Sequence, residues 1–474
     1  MGIKFYNTMS GKKEDFEPIE EGNVRMYTCG QTIYDDLHIG NARTYAYWDI
    51  LKKYLKWKGF DVFHVQNITD VGHLTSKGQD KIEKRAKEKG KEPMVLVEEQ
   101  LEKYYRDMRD LNIERHDINP RATGHIMEII DMVKKIIENG YGYEVNGSVY
   151  LDIERFNKDY DYAKMSGMNI EDLKVGARIE KKQEKKNPLD FALWIKAPEE
   201  HIMKWNSPWS VGYPGWHIEC SVMSTKYLGK KFDIHGGGKD HIFPHHPNER
   251  AQCLAANDID FVNYWLHTNF LSINEEKMSK SKGNFFTARE MIDKYGGEVL
   301  RLFFASSHYR KEVNFSEKNI ENARNNLERI YNTMELVKRS DGGNKENIKE
   351  EIEVVKKRFE EVMDDNLDTP KAVDLLLNFS KKINKSLDNK PDILQKSVET
   401  LKELGSILGL KLESENDRKD FSKDLIELLI ETREKLREEE NYQLSDQIRS
   451  KLKKLGIILE DKDGTIEWKY SNLK

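Results

Sequence analysis

Three cysteines stand in 474 residues, at positions 29, 220 and 253. So few cannot build a disulfide framework, which fits a reducing compartment. Each can be read as a small buried hydrophobe, and Cys253, inside the apolar helical pattern of residues 251–256, is assigned to the core. No run of about 18 apolar residues exists to span a membrane. The opening Met1-Gly2-Ile3-Lys4-Phe5 lacks the apolar core of a signal peptide. Tyr6 stands where a myristoylation signal needs Ser or Thr, so Gly2 is no lipid site. Cytoplasm is the expected location, with no membrane partner. Positive charge is also not in surplus. The formal net charge is −5, so any nucleic-acid contact rests on local patches rather than a global basic field. Internal repeats are absent as well.

What is present describes a globular chain, 38% hydrophobic and 34% charged. Its length exceeds one hydrophobic core, so two to four domains are expected. The organising stretch is residues 26–44. An apolar-leaning run over 24–28 ends in Cys29-Gly30, and a polar loop follows. His38-Ile39-Gly40-Asn41 then opens a helical pattern with Tyr47, Leu51, Tyr54 and Leu55 on one face. A strand–loop–helix unit places a nucleotide phosphate at a helix N-terminus, where free N–H groups favour an anion. Gly40 permits close approach, while His38 and Asn41 offer donors to a polyphosphate.

A second strand over 60–68 ends at Thr69-Asp70-Val71-Gly72, and residues 81–112 read as helical. Strands alternating with helices predict an α/β, Rossmann-like parallel sheet. Near Asn119-Pro120 the pattern changes. A helix over 124–138 leads to a hairpin about Asn146-Gly147, then to Lys181, Lys182, Lys185 and Lys186. Residues 118–205 are therefore an insertion between catalytic halves 1–117 and 206–315. Four amphipathic helices follow, at 316–338, 347–363, 370–387 and 392–408, interrupted by a loop at 342–345. They define a helical bundle over 316–410. Residues 411–474 hold a linker over 411–421, helices at 423–440 and 443–455, and two short strands about Asp463-Gly464.

His245 and Glu249 are spaced i, i+4 and share a face if helical, with Pro247 tolerated only in the first turn. Together with Cys29 and Cys220 they make a plausible zinc set. The separation of the cysteines leaves the alternative open: two core thiols and a surface pair. Likewise Lys277-Met278-Ser279-Lys280-Ser281, taken alone, is a basic surface loop.

In that order, however, His38-Ile39-Gly40-Asn41 and Lys277-Met278-Ser279-Lys280-Ser281 resemble the two ATP signatures of class I aminoacyl-tRNA synthetases, HIGH and KMSKS. Three further features narrow the resemblance to the cysteinyl-tRNA synthetases: Cys29 before the first signature, residues 215–221 (Gly-Trp-His-Ile-Glu-Cys-Ser), and His235-Gly236-Gly237-Gly238-Lys239-Asp240 with Phe243-Pro244-His245-His246-Pro247-Asn248-Glu249. The likeness runs over nearly the whole chain. It implies that Cys29, Cys220, His245 and Glu249 hold one zinc ion. It implies that His38, Gly40, Asn41, Lys277, Ser279, Lys280 and Ser281 bind ATP, with Mg2+, and that His38, Asn41, Lys277 and Lys280 serve catalysis. Gly30, Thr69, Trp216 and His235 are expected to line the amino-acid pocket. Residues 118–205 correspond to the connective peptide, beside the tRNA acceptor end. Arg437, Asp446, Arg449, Asp461 and Trp468 fall near positions that the family uses at the anticodon, where aromatic stacking and Arg or Asp hydrogen bonds read single-stranded bases. The alternative for these five is ordinary charged helices with one packed tryptophan.

Two positions depart from the family pattern. Asn41 replaces the last histidine of HIGH, and its amide can still donate. Tyr213 stands where arginine is common, which puts a polar contact there in doubt. The expected activity is cysteine–tRNA ligation by a monomer, with L-cysteine, ATP and tRNA(Cys) as partners. Zinc would select a thiolate over the near-isosteric hydroxyl of serine, a distinction that shape makes by only about 1–3 kcal/mol. No editing site is expected, because the insertion is short. A same-fold rival would join cysteine to a small amine and would need no residues 423–474. An RNA-binding protein with structural zinc would leave the paired ATP signatures unexplained.

Overall fold

A short antiparallel hairpin, β1 (Lys4–Asn7) and β2 (Lys12–Asp15), starts the chain and buries Phe5. β3 (Asn23–Thr28) and β4 (Asp61–Gln66) follow, linked by the long helix α1 (Ile39–Trp57). Tyr47, Leu51, Tyr54 and Leu55 are all buried on α1, as their spacing predicts. The computed structural model describes residues 2–72, 80–167, 185–277, 285–413, 422–454, 457–462 and 465–470. The helical stretch expected over 81–112 is two helices, α2 (Lys81–Glu88) and α3 (Pro93–Asp110). Gly90 at φ +63° and Pro93 in the first turn of α3 separate them.

A 3₁₀ turn (Ala122–His125) leads into α4 (Ile126–Glu138), then β5 (Gly142–Val145), β6 (Ser148–Leu151) and α5 (Ile153–Asp159). β7 (Phe191–Lys196), β8 (Trp205–Asn206) and β9 (Val211–Pro214) complete a five-stranded antiparallel sheet of order β5-β6-β7-β9-β8. This sheet runs past residue 205, where the insertion is expected to end. The cause is pairing: β9 lies between β7 and β8, with Ile195 opposite Tyr213 and Trp205 opposite Gly212. The second catalytic half therefore rejoins the main sheet later than the sequence pattern implies. Lys181 and Lys182 lie outside the described residues.

Return comes through α6 (Ile218–Leu228), β10 (Phe232–Gly238), α7 (His245–Asn257) and β11 (Val262–Thr268). β3, β4, β10 and β11 form one parallel sheet of order β11-β10-β3-β4. From β3 the chain moves one way to β4, and from β10 the other way to β11. The boundary between β3 and β10 is thus the topological switch point, where open α/β sheets bind ligands beyond their carboxyl edges. β12 (Leu271–Ile273), β13 (Glu276–Lys277) and β14 (Val313–Phe315) make a small side sheet, with α8 (Ala288–Tyr295) and α9 (Gly297–Ala305) between the last two.

Four helices then pack as a bundle: α10 (Glu317–Arg339), α11 (Lys349–Asp364), α12 (Thr369–Asn384) and α13 (Pro391–Ile407). Contacts divide the chain into one unit ending at Leu412 and a second beginning at Glu413. In the second, α14 (Ser422–Glu438), α15 (Tyr442–Lys454) and the antiparallel pair β15 (Ile457–Lys462) and β16 (Thr465–Tyr470) enclose a small core of Ile426, Ile430, Leu452, Ile457 and Leu459. No helix among the described residues is long and apolar enough to cross a membrane.

Candidate active site and metal centre

The residue before α1 sets the first half of the site. His38 is the N-cap, extended at φ −90° and ψ 155°, and its Nδ1 accepts the backbone N–H of Asn41 at 3.2 Å. An imidazole accepting at Nδ1 carries its proton on Nε2, so His38 both caps the helix and keeps a donor. The start of α1 is stitched to the chain beyond the second signature: Ile39 N–H donates to Phe286 O at 3.1 Å, and Ala288 N–H to Leu37 O at 2.6 Å. The His38 ring also meets the Phe285 ring edge-on at 5.8 Å. The backbone of Lys277 ends β13. Ser279, Lys280 and Ser281 lie outside the described residues.

The second half sits at the switch point. Cys29 leaves the carboxyl end of β3, Cys220 belongs to the first turn of α6, and His245 and Glu249 open α7. Pro247 falls in the first turn of α7, where its missing N–H costs nothing. All four side chains are buried, and their donor atoms lie within 4.8 Å of one another. Cys29 Sγ is 3.3 Å from His245 Nε2 and 3.5 Å from Glu249 Oε1, and the last two are 3.0 Å apart. A tetrahedral zinc shell with legs of about 2.0–2.3 Å has edges of about 3.3–3.8 Å. The donor set therefore fits a zinc ion in number and kind, and its atoms are gathered at close to that spacing.

The electrostatics agree. Burial raises the Glu249 carboxyl, yet the imidazoles of His235 and His245 override it and hold the group at about 2. Burial also raises Cys220, but the hydrogen bond from Cys29 and the neighbouring His245 bring its thiol down to about 6. Cys29 goes the other way, pushed up by burial and by its bond to Cys220. Glu249 and Cys220 in turn raise His245 well above its ordinary value in spite of its burial, so the anionic groups of the cluster face a cationic imidazole.

Behind the donors lies a lattice of rings. His235 Nε2 bonds Glu249 Oε2 at 2.8 Å, and its ring stacks on Trp265 at 4.6 Å. His246 Nδ1 bonds His267 Nε2, and His267 Nδ1 bonds Thr8 Oγ1, each at 2.8 Å. Nδ1 of His217 meets Nδ1 of His245, directing Nε2 of His245 toward the other donors. Two further donor sets, Cys29/His241/His245/His246 and Cys29/His235/His246/Glu249, share this cluster. Both draw on His246, whose Nδ1 is bonded to His267, and neither uses Cys220. The set with two thiols is preferred because softer ligands suit zinc.

One cavity of about 580 Å³ joins the two halves. Its lining includes Cys29, Gly30, Thr69, Trp216, Cys220 and His245 together with His38, Gly40, Asn41 and Phe285. His235 is not among the lining residues; it is fully buried behind Glu249. The structure thus moves His235 from the pocket wall to the support of a ligand. Gly30 is required by close approach, since a Cβ there would fall 1.8 Å from Asn67 O. Its N–H donates to Asn67 Oδ1 at 2.7 Å, Asn67 Nδ2 donates to Thr69 Oγ1 at 2.9 Å, and Thr69 reaches buried Glu219 at 3.4 Å. Asn67, Glu219, His217, His246 and His267 are functional candidates that sequence reasoning missed. His246 beside His245, and Glu219 with His217 in the stretch before Cys220, carried a local signal. Tyr213 is buried and stacks on His201 at 4.3 Å, so an aromatic contact occupies the position where arginine is common.

In the second unit Arg437, Asp446 and Arg449 are exposed on α14 and α15. Trp468 pairs with Leu459 across the hairpin and packs against the small core, so it has a structural role. The side chain of Asp461 lies outside the described residues.

A switch-point cavity between a helix-capping HIGH-type turn and the chain that follows KMSKS is the arrangement of a class I aminoacyl-tRNA synthetase. Solved structures bear out the fold. The Mycobacterium tuberculosis methionyl-tRNA synthetase with methionyl-adenylate superposes with a TM-score of 0.59 at 14% identity, covering 81% of this chain and 90% of that one. LeuRS in its Agrobacterium radiobacter ternary complex gives 0.59 at 11% identity, covering 84% and 86%. The family described as tRNA synthetases class I (C) catalytic domain matches residues 15–325, and a DALR domain matches 358–413. The cysteine–tRNA ligases of Thermococcus gammatolerans and Pyrococcus abyssi are each 46% identical over 99% of both chains. The chain belongs to the class I (C) tRNA synthetases, the family of the cysteine–tRNA ligases.

Proposed function

We propose that this chain is a cysteine–tRNA ligase acting as a cytoplasmic monomer on L-cysteine, ATP with Mg2+, and tRNA(Cys). The observation that carries the reading is a single cavity lined by Cys29, Cys220 and His245 and by the His38–Asn41 turn. In the first step a carboxylate oxygen of cysteine bonds the α-phosphorus of ATP, and the bond to the bridging oxygen breaks to release pyrophosphate. In the second, a hydroxyl of the tRNA 3′-terminal ribose attacks the activated carbonyl and AMP leaves. Neither step needs a protein nucleophile; positioning and charge stabilisation suffice.

His38 and the N–H groups at the start of α1 hold the phosphates, with Asn41 donating beside them. Lys277, Ser279, Lys280 and Ser281 neutralise charge gathering on pyrophosphate. Gly30, Thr69 and Trp216 orient cysteine. Cys29, Cys220, His245 and Glu249 would hold zinc, which supplies a soft Lewis acid that prefers a thiolate to an alcohol. Residues 118–205, with the sheet extending to Pro214, receive the acceptor end. In the second unit Arg437, Asp446, Arg449 and Asp461 read the anticodon, with Trp468 packed behind them. Cysteine-dependent ATP–pyrophosphate exchange together with charging of tRNA(Cys) tests the reading. Exchange without charging would favour ligation of cysteine to a small amine instead.

A further inference from the structure

A chain of hydrogen bonds runs beside the metal set, from the residue after Cys29 to the residue before Cys220. It starts at Gly30, whose N–H donates to Asn67 Oδ1 at 2.7 Å. A backbone N–H can only donate, so the Asn67 amide must turn its oxygen to Gly30 and its nitrogen to Thr69. Asn67 Nδ2 then donates to Thr69 Oγ1 at 2.9 Å. The Thr69 hydroxyl has to place its own hydrogen elsewhere, and Glu219 Oε1 stands 3.4 Å away on the first turn of α6. That oxygen accepts whether or not the carboxyl carries a proton on Oε2. The backbone of Thr69 is also fixed, with its N–H on Gln31 O at 3.2 Å and its carbonyl accepting Ile33 N–H at 3.0 Å.

A hydroxyl has one hydrogen and two lone pairs. In Thr69 the hydrogen goes to Glu219 and one lone pair to Asn67, which leaves a single acceptor position. Asn67 and Thr69 line the cavity with Gly30, Cys29 and Cys220, whereas Glu219 does not. Asn67, Thr69 and Glu219 are exposed by only 1, 4 and 2%. Glu219 Oε2 is buried and has no hydrogen-bond partner among the described residues. A carboxyl placed so is costly unless something offsets it. A cation on the cavity side of Thr69 would do so.

We propose that Glu219 is a positioning residue for the substrate ammonium: by taking the Thr69 hydrogen, it makes Thr69 a pure acceptor on the cavity wall. This rests on the reading above that cysteine is the substrate. Only two carbons separate the sulfur of cysteine from its nitrogen. A molecule whose sulfur meets the Cys29 and Cys220 end must therefore lay its ammonium against the wall between those residues. There the chain from Gly30 to Glu219 presents a lone pair, backed by a buried carboxyl, to a group that has only hydrogens to offer. Without the carboxyl, the Thr69 hydrogen turns toward the cavity and opposes the ammonium.

The test uses the full, zinc-loaded chain and two probes that differ in one group, L-cysteine and 3-mercaptopropionate, which lacks the ammonium. Glu219→Met, similar in length but without an acceptor, should raise the KM for cysteine in ATP–pyrophosphate exchange about tenfold. The inhibition constant of 3-mercaptopropionate and the zinc content should not change. Glu219→Gln, whose carbonyl can accept the same hydrogen, should recover most of the loss. Thr69→Val should show the same ammonium-specific loss, and adding Glu219→Met to it should cost little more, because the two act as one unit. An unchanged cysteine KM in Glu219→Met, an effect that adds in full to that of Thr69→Val, an equal weakening of both probes, or a loss of zinc overturns the assignment. The last two outcomes would make Glu219 a support of the fold or of the metal. If the parent chain shows no cysteine-dependent exchange, the reading of the substrate fails and this role falls with it.

Discussion

Replacing His235 by asparagine separates a ligand's support from a pocket wall. Its Nε2 bonds the Glu249 oxygen that faces away from Cys29, at 2.8 Å, and both side chains have no exposure. Stacking on Trp265 at 17° between ring planes fixes the imidazole. Asparagine is too short to reach Glu249 Oε2 and would leave that oxygen buried without a partner, at a cost of about 1–3 kcal/mol. Partners that orient metal ligands are worth about 10–100-fold in metal affinity, or about 1.4–2.7 kcal/mol. The two routes give the same size of effect. Competition with a chromophoric chelator should show zinc binding weakened by about that factor, and exchange should need correspondingly more free zinc to reach an unaltered maximum. Glutamine, whose amide reaches further, should recover part of the loss. Parental zinc affinity in His235→Asn together with a raised KM for cysteine would refute the reasoning and return His235 to the substrate pocket.

Cys220→Ser should bind less than one zinc per chain and lose cysteine-dependent exchange while keeping its circular dichroism; full cysteine affinity in the zinc-free variant would exclude a recognition role for the metal. Serine with ATP and tRNA should yield no accumulating seryl-tRNA and no idle ATP consumption, the first measured by acid-gel analysis and the second by AMP release. Acid should loosen the fold near β4. His64 is held well below its ordinary value by burial and by neighbouring His116, and burial with Lys52 nearby brings His116 down to about 4. A base whose folded value is depressed stays neutral in the fold, so its stability contribution is whole above about pH 6.5 and shrinks as pH falls toward 4. Urea midpoints should drop between pH 7 and 5, and His116→Phe should flatten that slope.

Elements were legible wherever one local force decides them. The signature helix begins where His38 can cap it, and four bundle helices lie within a few residues of the expected ranges because their apolar stripes are regular. That the antiparallel sheet runs past residue 205 was not legible, because Val211–Pro214 joins it through pairing with β7 and β8 rather than through any feature of its own. The metal donors could be proposed from residue type and resemblance, with i, i+4 spacing tying only His245 to Glu249. Their supports could not. His217, His267 and Thr8 converge from distant segments, and nothing in a linear pattern says that His235 faces Glu249 rather than the cavity. In the second unit, exposure of Arg437 and Arg449 fits RNA contact, while Trp468 turned out to be needed for packing.

The scattered origin of the four donors has a consequence of its own. A compact zinc knuckle folds around its metal and holds it whatever the rest of the domain does. Here Cys29, Cys220 and the His245–Glu249 pair come from three separate segments that are brought together at the switch point. The metal set and the cavity wall are therefore one object. α1 packs onto the same object: a Cβ on Gly236 of β10 would fall 3.0 Å from the Trp48 ring of α1 and 3.1 Å from Thr28 of β3. Strands β10 and β3 and the nucleotide helix are packed so closely there that a methyl group would have to push its neighbours aside by a few tenths of an ångström. For a reaction in which the protein offers no nucleophile, rate depends on holding carboxylate and α-phosphate in line, and a displacement of about 1 Å can cost about 100-fold. Interior close packing transmits such displacements rather than absorbing them. The buried imidazoles and the glycines of β10 thus serve the chemistry indirectly, by making the cysteine end and the nucleotide end of the cavity parts of a single rigid body.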